Sequence, residues 1–88
     1  MDCEEFVKKY LPVLRKEIAK MLYYKKGYSQ SKISKLLKVS QAEVSMYIKG
    51  SRGKRVKIPK EILEKVLENI DKDKWYCIAC KLLKEHGF

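Results

Sequence analysis

Apolar side chains recur at helical spacing in five stretches of the chain, and no stretch shows the strict alternation that a half-buried strand requires. The first covers residues 3–24. Phe6, Val7, Tyr10, Leu11, Leu14, Ile18, Met21 and Leu22 share a face, with Lys8, Lys9, Lys16, Glu17 and Lys20 opposite. Pro12 has no amide proton for the interior ladder, which predicts a kink or break near Leu11. A short N-terminal arm then precedes a helix from Pro12 to about Tyr24. Lys25-Lys26-Gly27 ends that helix with cations at the negative end of its dipole and a glycine cap.

The second and third stretches share residues 30–49. Ile33, Leu36 and Leu37 lie three and four apart on one short helix, led by Ser29 as N-cap. Lys38, Val39 and Ser40 form a turn, with Val39 available to plug the space between two helices. Ser40 caps the next helix, in which Val44 and Ile48 point inward together. Two short helices joined by such a turn form a helix-turn-helix. Gly50 stops the second of them, and residues 51–57 make a polar, basic loop barely long enough for a winged hairpin. Ile58-Pro59 opens a helix over 60–70 with Ile62, Leu63, Val66, Leu67 and Ile70 inward. Asp73 caps a last helix over 73–86, marked by Trp75, Ile78, Ala79, Leu82 and Leu83. The expectation is one all-α domain over residues 1–88, with about five helices.

The run QSKISKLLKVSQAEVSMYI, from Gln30 to Ile48, resembles the helix-turn-helix of the phage-repressor type, the Cro and lambda-repressor (XRE) superfamily. The matching positions are Gln30, small Ser34, Val39, the Ser40-Gln41 pair, Val44 and Ile48, followed by Gly50 and the basic loop Arg52-Gly53-Lys54-Arg55. Leu11-Pro12-Val13-Leu14-Arg15 before the motif and Cys77-x-x-Cys80 after it resemble small archaeal transcriptional regulators carrying this domain. The first likeness covers roughly residues 13–70, and the second extends more loosely over most of the chain. It implies a lambda-repressor-like domain with an N-terminal arm and an extra C-terminal helix, binding double-stranded DNA as a homodimer. Lys38 stands where the family usually has glycine, and a left-handed lysine there costs on the order of 1 kcal/mol.

Charge changes the picture once it is located. The net charge is +10, and residues 25–60 carry eleven basic side chains against one acid, Glu43, which accounts for the whole excess. The remainder is neutral. A lysine-rich solubility bias would spread over every exposed face, whereas a concentrated field is the footprint of a phosphate-backbone binder. Apolar content of 45% suits a globular chain. No apolar run reaches membrane-spanning length, and the acidic start Asp2-Cys3-Glu4-Glu5 is no signal peptide, so a cytoplasmic protein without membrane partners is expected. One histidine, no glycine-rich phosphate loop and no paired carboxylates outside charged helix surfaces give an enzymatic reading little footing.

The resemblance implies base contacts from Gln41, Ala42, Ser45 and Met46. Gln41 is the strongest reader, because its amide can pair with N6 and N7 of adenine together; Ala42 and Met46 offer surface for a thymine methyl. Glu43, a carboxylate among phosphates, should face away. Backbone contacts are expected from Gln30, Ser40, Ser45, Lys49, Arg52, Lys54 and Arg55, the first two at helix N-termini where amides favour a phosphate. Specificity should then draw heavily on DNA shape. Cys77 and Cys80 fall on one helical face, and with Cys3 and His86 they make enough ligands for zinc, or thiolates for an iron–sulfur cluster. Against that, free cysteine is a common small core hydrophobe. Phe6, Tyr10, Trp75, Leu82 and Leu83 exceed what one small core uses and are predicted to form the dimer contact. The alternatives to a DNA-binding regulator are a protein-binding adaptor on the same fold and a metal- or redox-responsive regulator.

Overall fold

The computed structural model describes residues 2–50, 57–72 and 74–87, and it is all-helical there. Asp2 caps a first helical turn, α1 (Cys3–Glu5), accepting the Glu5 amide at 2.8 Å. A π-helical turn (Phe6–Tyr10) follows and runs directly into α2 (Leu11–Tyr24), the Leu11 amide reaching back five residues to the Phe6 carbonyl. This wide turn lies immediately ahead of Pro12, whose ring crowds the carbonyl four residues back and whose nitrogen has nothing to donate. The break expected near Leu11 is thus absorbed as a π turn. The N-terminal segment, 3–10, continues the helix instead of standing off as an arm.

Gly27, at φ 71°, turns the chain after α2, and the Tyr28 amide returns to the Leu22 carbonyl at 3.0 Å. Ser29 then caps α3 (Gln30–Leu37), its hydroxyl accepting the Lys32 amide at 3.1 Å. Lys38 takes the left-handed conformation expected of it, φ 61° and ψ 45°, and the Val39 amide closes on the Ser34 carbonyl at 3.0 Å. After this three-residue turn comes α4 (Gln41–Lys49). Pro59 stands one residue ahead of α5 (Lys60–Glu68), where its carbonyl takes the Ile62 and Leu63 amides. Asn69 closes α5 by donating its side-chain amide to the Lys65 carbonyl at 2.8 Å. The last element is α6 (Trp75–His86). The loop expected over 51–57 lies outside the described residues but for Lys57, and so does Asp73, the expected cap of α6. With α1, the π turn and α2 counted as one run, the chain has the five helices expected of an all-α fold.

The core gathers around α2, which packs on α3, α4, α5 and the π turn. Leu14, Ile18 and Ala19 of α2 are fully buried with Ile33, Val44, Val66, Ala79 and Leu83 of the other helices. Fully burying a side chain of this size stabilises by about 1.5–3 kcal/mol, so the inward faces of all five helices hold one another in place. Ser34, small enough to let α3 approach, satisfies its hydroxyl on the Ser31 carbonyl at 2.7 Å.

One expectation is overturned here. Phe6, Tyr10, Trp75 and Leu83 are only 3%, 9%, 2% and 0% exposed within the single chain, and Leu82 is half-buried against the same cluster. They cannot supply a contact to a second copy. The π turn keeps the N-terminal segment helical and on the body, so Phe6 and Tyr10 enter the chain's own core.

Candidate nucleic-acid interface

α4 begins with a reciprocal cap. Ser40 accepts the Glu43 amide at 3.1 Å, and the Glu43 carboxylate accepts the Ser40 amide at 3.1 Å and faces the Ser40 hydroxyl at 3.3 Å. Glu43 therefore does not simply face away, as expected of it. Its carboxylate occupies the place at the helix N-terminus that a phosphate would take, and Ser40 has its hydroxyl and amide engaged. The Ser-x-x-Glu spacing was the sequence signal for this cap. Ser40 is consequently withdrawn as a backbone contact in this arrangement, and the one acid of the basic segment has its charge turned toward its own helix end.

At 3.6 residues per turn, Val44 and Ile48 face α2 while Ala42, Ser45, Met46 and Lys49 occupy the outer arc of α4. Gln41, the first helical residue, is exposed, as are Ala42 and Lys49. Ser45 is half-buried. Met46 is 71% exposed, the most open of the large apolar side chains described. A methionine this open has no role in the core, and on an exposed arc it offers a flexible apolar tip to a partner. Gly50 ends the helix with its amide on the Met46 carbonyl at 2.7 Å. A Cβ at position 50 would meet that carbonyl at 2.9 Å, so the chain leaves the helix tightly only because glycine is there.

Gln30 opens α3 and is half-buried. Beside it the Lys32 ammonium lies 4.0 Å from the centre of the Tyr28 ring, a cation–π contact that holds this positive charge at the entry to α3. The expected contact set lacked Lys32, although Tyr28 and Lys32 lie four residues apart. All eight basic residues of the 25–60 segment that the structure describes (Lys25, Lys26, Lys32, Lys35, Lys38, Lys49, Lys57 and Lys60) are exposed. The ion pairs Glu4–Lys8 (4.0 Å) and Glu61–His86 (3.3 Å) both lie away from α3 and α4. Arg52, Lys54 and Arg55 fall outside the described residues.

The four proposed metal ligands do not form one donor set. Cys3, Cys77 and Cys80 line the same groove, but His86 is turned from it and lies 3.3 Å from the Glu61 carboxylate. Among the described residues, no three histidine, cysteine or acidic side chains are grouped to hold a metal ion. Cys3 and Cys77 are exposed thiols and Cys80 is half-buried, so only Cys80 approaches the core role weighed for the pair. No helix among the described residues is long and apolar enough to cross a membrane.

Compared with family models, with curated proteins and with solved structures, the chain gives no match. What α4 can do is therefore read from its own residues: a capped helix with an amide, a methyl, a thioether and an ammonium along one open arc, set in the basic third of the chain.

Proposed function

We propose that this protein binds double-stranded DNA as a transcriptional regulator, laying α4 in the major groove. The observation that carries this reading is the open outer arc of α4, with Gln41, Ala42, Met46 and Lys49 uncovered in a segment whose described basic residues are all exposed. The resemblance of residues 30–48 to phage-repressor helix-turn-helix motifs points the same way. Gln41 reads adenine through its amide, and Ala42 and Met46 meet thymine methyls. Lys49, Lys32 and Lys35, joined by Arg52, Lys54 and Arg55 of the following loop, meet phosphates and set the register. Few of these are strong base readers, so the sequence dependence of DNA shape contributes a large share of specificity.

The regulator acts as a homodimer. The molecule's longest extent is 33 Å, and it holds one such helix, while successive major grooves on one face of a duplex lie about 34 Å apart. Reaching both takes two copies. Selection from a random duplex pool tests the reading: enrichment of a two-fold-symmetric site is expected. Affinity for that site should fall by about 10³-fold or more between 50 and 200 mM salt as phosphate contacts release counterions. A pool that yields no preferred sequence, with association insensitive to salt, overturns DNA binding in favour of a protein partner.

A further inference from the structure

Five large hydrophobic side chains are substantially exposed among the described residues: Val7, Tyr23, Tyr24, Met46 and Tyr76. Met46 belongs to the outer arc of α4. Tyr23 and Tyr24 stack edge-to-face on each other with ring centres 5.0 Å apart. Val7, 55% exposed, and Tyr76, 38% exposed, remain, and both line one groove of about 380 Å³ between the N-terminal segment 3–10 and α6. Cys3, Cys77 and Cys80 line it too, so its surface is almost wholly apolar. Lys81 and Lys84 stand on the α6 side, and neither carries an ion pair among the described residues. On the opposite side the chain starts with exposed Asp2, Glu4 and Glu5.

We infer that this groove is where a second copy of the chain docks. An isologous contact places the same patch on both partners. Two orientations are open to a patch with two unlike walls. A two-fold axis running across the groove sets N-terminal segment on N-terminal segment and lysines on lysines. An axis running along the groove seats each acidic N-terminal turn on the partner's Lys81 and Lys84, twice over. Charge complementarity selects the second, and Val7 and Tyr76 then meet across the axis as the apolar centre, with charges at the rim where such interfaces carry them. This assigns to the dimer a surface separate from the residues that the core has taken up. It rests on the homodimer of the preceding section, and its measurement needs no DNA.

Sedimentation velocity of the full chain at micromolar to about 100 µM is the test. The wild type should sediment as a dimer. Val7→Glu should weaken association by about ten-fold or more, as loss of a central apolar contact does, with an unchanged helical circular-dichroism spectrum because the side chain is exposed. The double variants Glu4→Lys/Glu5→Lys and Lys81→Glu/Lys84→Glu should each be monomeric alone and form a heterodimer when mixed. A monomeric wild type, a Val7→Glu protein that still dimerises, or charge variants that stay apart on mixing would each overturn the inference; a monomer whose groove instead takes up an apolar dye does so as well. Gln41→Ala with Met46→Glu should lose duplex binding and keep the dimer, so failure of the DNA reading and failure of this one give different results.

Discussion

The outer arc of α4 and the groove between residues 3–10 and α6 both expose large apolar side chains beside lysines, yet they suit different partners. On α4 a single methionine stands among short polar side chains and cations, and the one nearby carboxylate is engaged in capping its own helix. In the groove, Val7 and Tyr76 sit together with three thiols, lysines on one wall and acids on the other. A surface of one sign repels its own copy and attracts a polyanion; a patch with both signs on opposite walls can pair with itself. Exposure alone does not identify a partner. The sign and arrangement of the neighbouring charges do.

Both surfaces depend on the core beneath them, and the largest expected effect lies there. Leu14 is fully buried in α2, and Leu14→Ala should cost about 2–5 kcal/mol of unfolding free energy, read from denaturant midpoints. DNA binding and dimerisation should then fall together, in proportion to the folded fraction. A loss of one without the other would break the picture of two faces on one body.

Gln41→Ala and Met46→Glu separate the faces. Each should change stability by no more than about 0.5 kcal/mol, since both residues are exposed. Gln41→Ala should weaken binding to the selected duplex by about 1–3 kcal/mol and relax preference at one base pair, measured by fluorescence anisotropy. Undiminished binding would remove Gln41 from the groove.

The α4 cap sharpens the comparison at a smaller scale. Ser40→Ala should lower stability by about 1 kcal/mol. Glu43→Gln can keep a hydrogen bond to the Ser40 amide while removing a negative charge from the helix end that approaches the phosphates. Duplex affinity should therefore rise a few-fold at low salt, with the gain shrinking as salt increases. Weaker binding of Glu43→Gln would indicate that the carboxylate contacts a base. The smallest effect is expected at Lys38, whose φ is 61°. Lys38→Gly should raise the thermal midpoint slightly, by the equivalent of about 0.5 kcal/mol, as relief of left-handed strain outweighs the entropy glycine adds to the unfolded chain.

Most of the local structure was legible in advance. Ser29 and Ser40 as caps, Lys38 as the left-handed residue, Gly27 as a stop, and the inward faces of α2 to α5 all follow from neighbours three to five residues apart, and the structure has them so. The Ser40–Glu43 box and the Lys32–Tyr28 contact were equally local and were overlooked. What was misjudged depended on distant segments. The apolar surplus assigned to a dimer proved to be core, and His86, grouped with the cysteines, was taken up by Glu61 twenty-five residues away.

The sequence by itself determined the helices, their caps and the concentration of positive charge between residues 25 and 60, because helical periodicity, capping chemistry and charge counts are properties of short windows. The tertiary structure alone decided that Phe6, Tyr10, Trp75 and Leu83 are covered, that Val7 and Tyr76 are not, and that three thiols share a groove while the histidine does not. The reason is closure. Which apolar residues stay uncovered depends on how residues 3–10 and α6 come together across some seventy positions of chain, and no short-range pattern records that meeting.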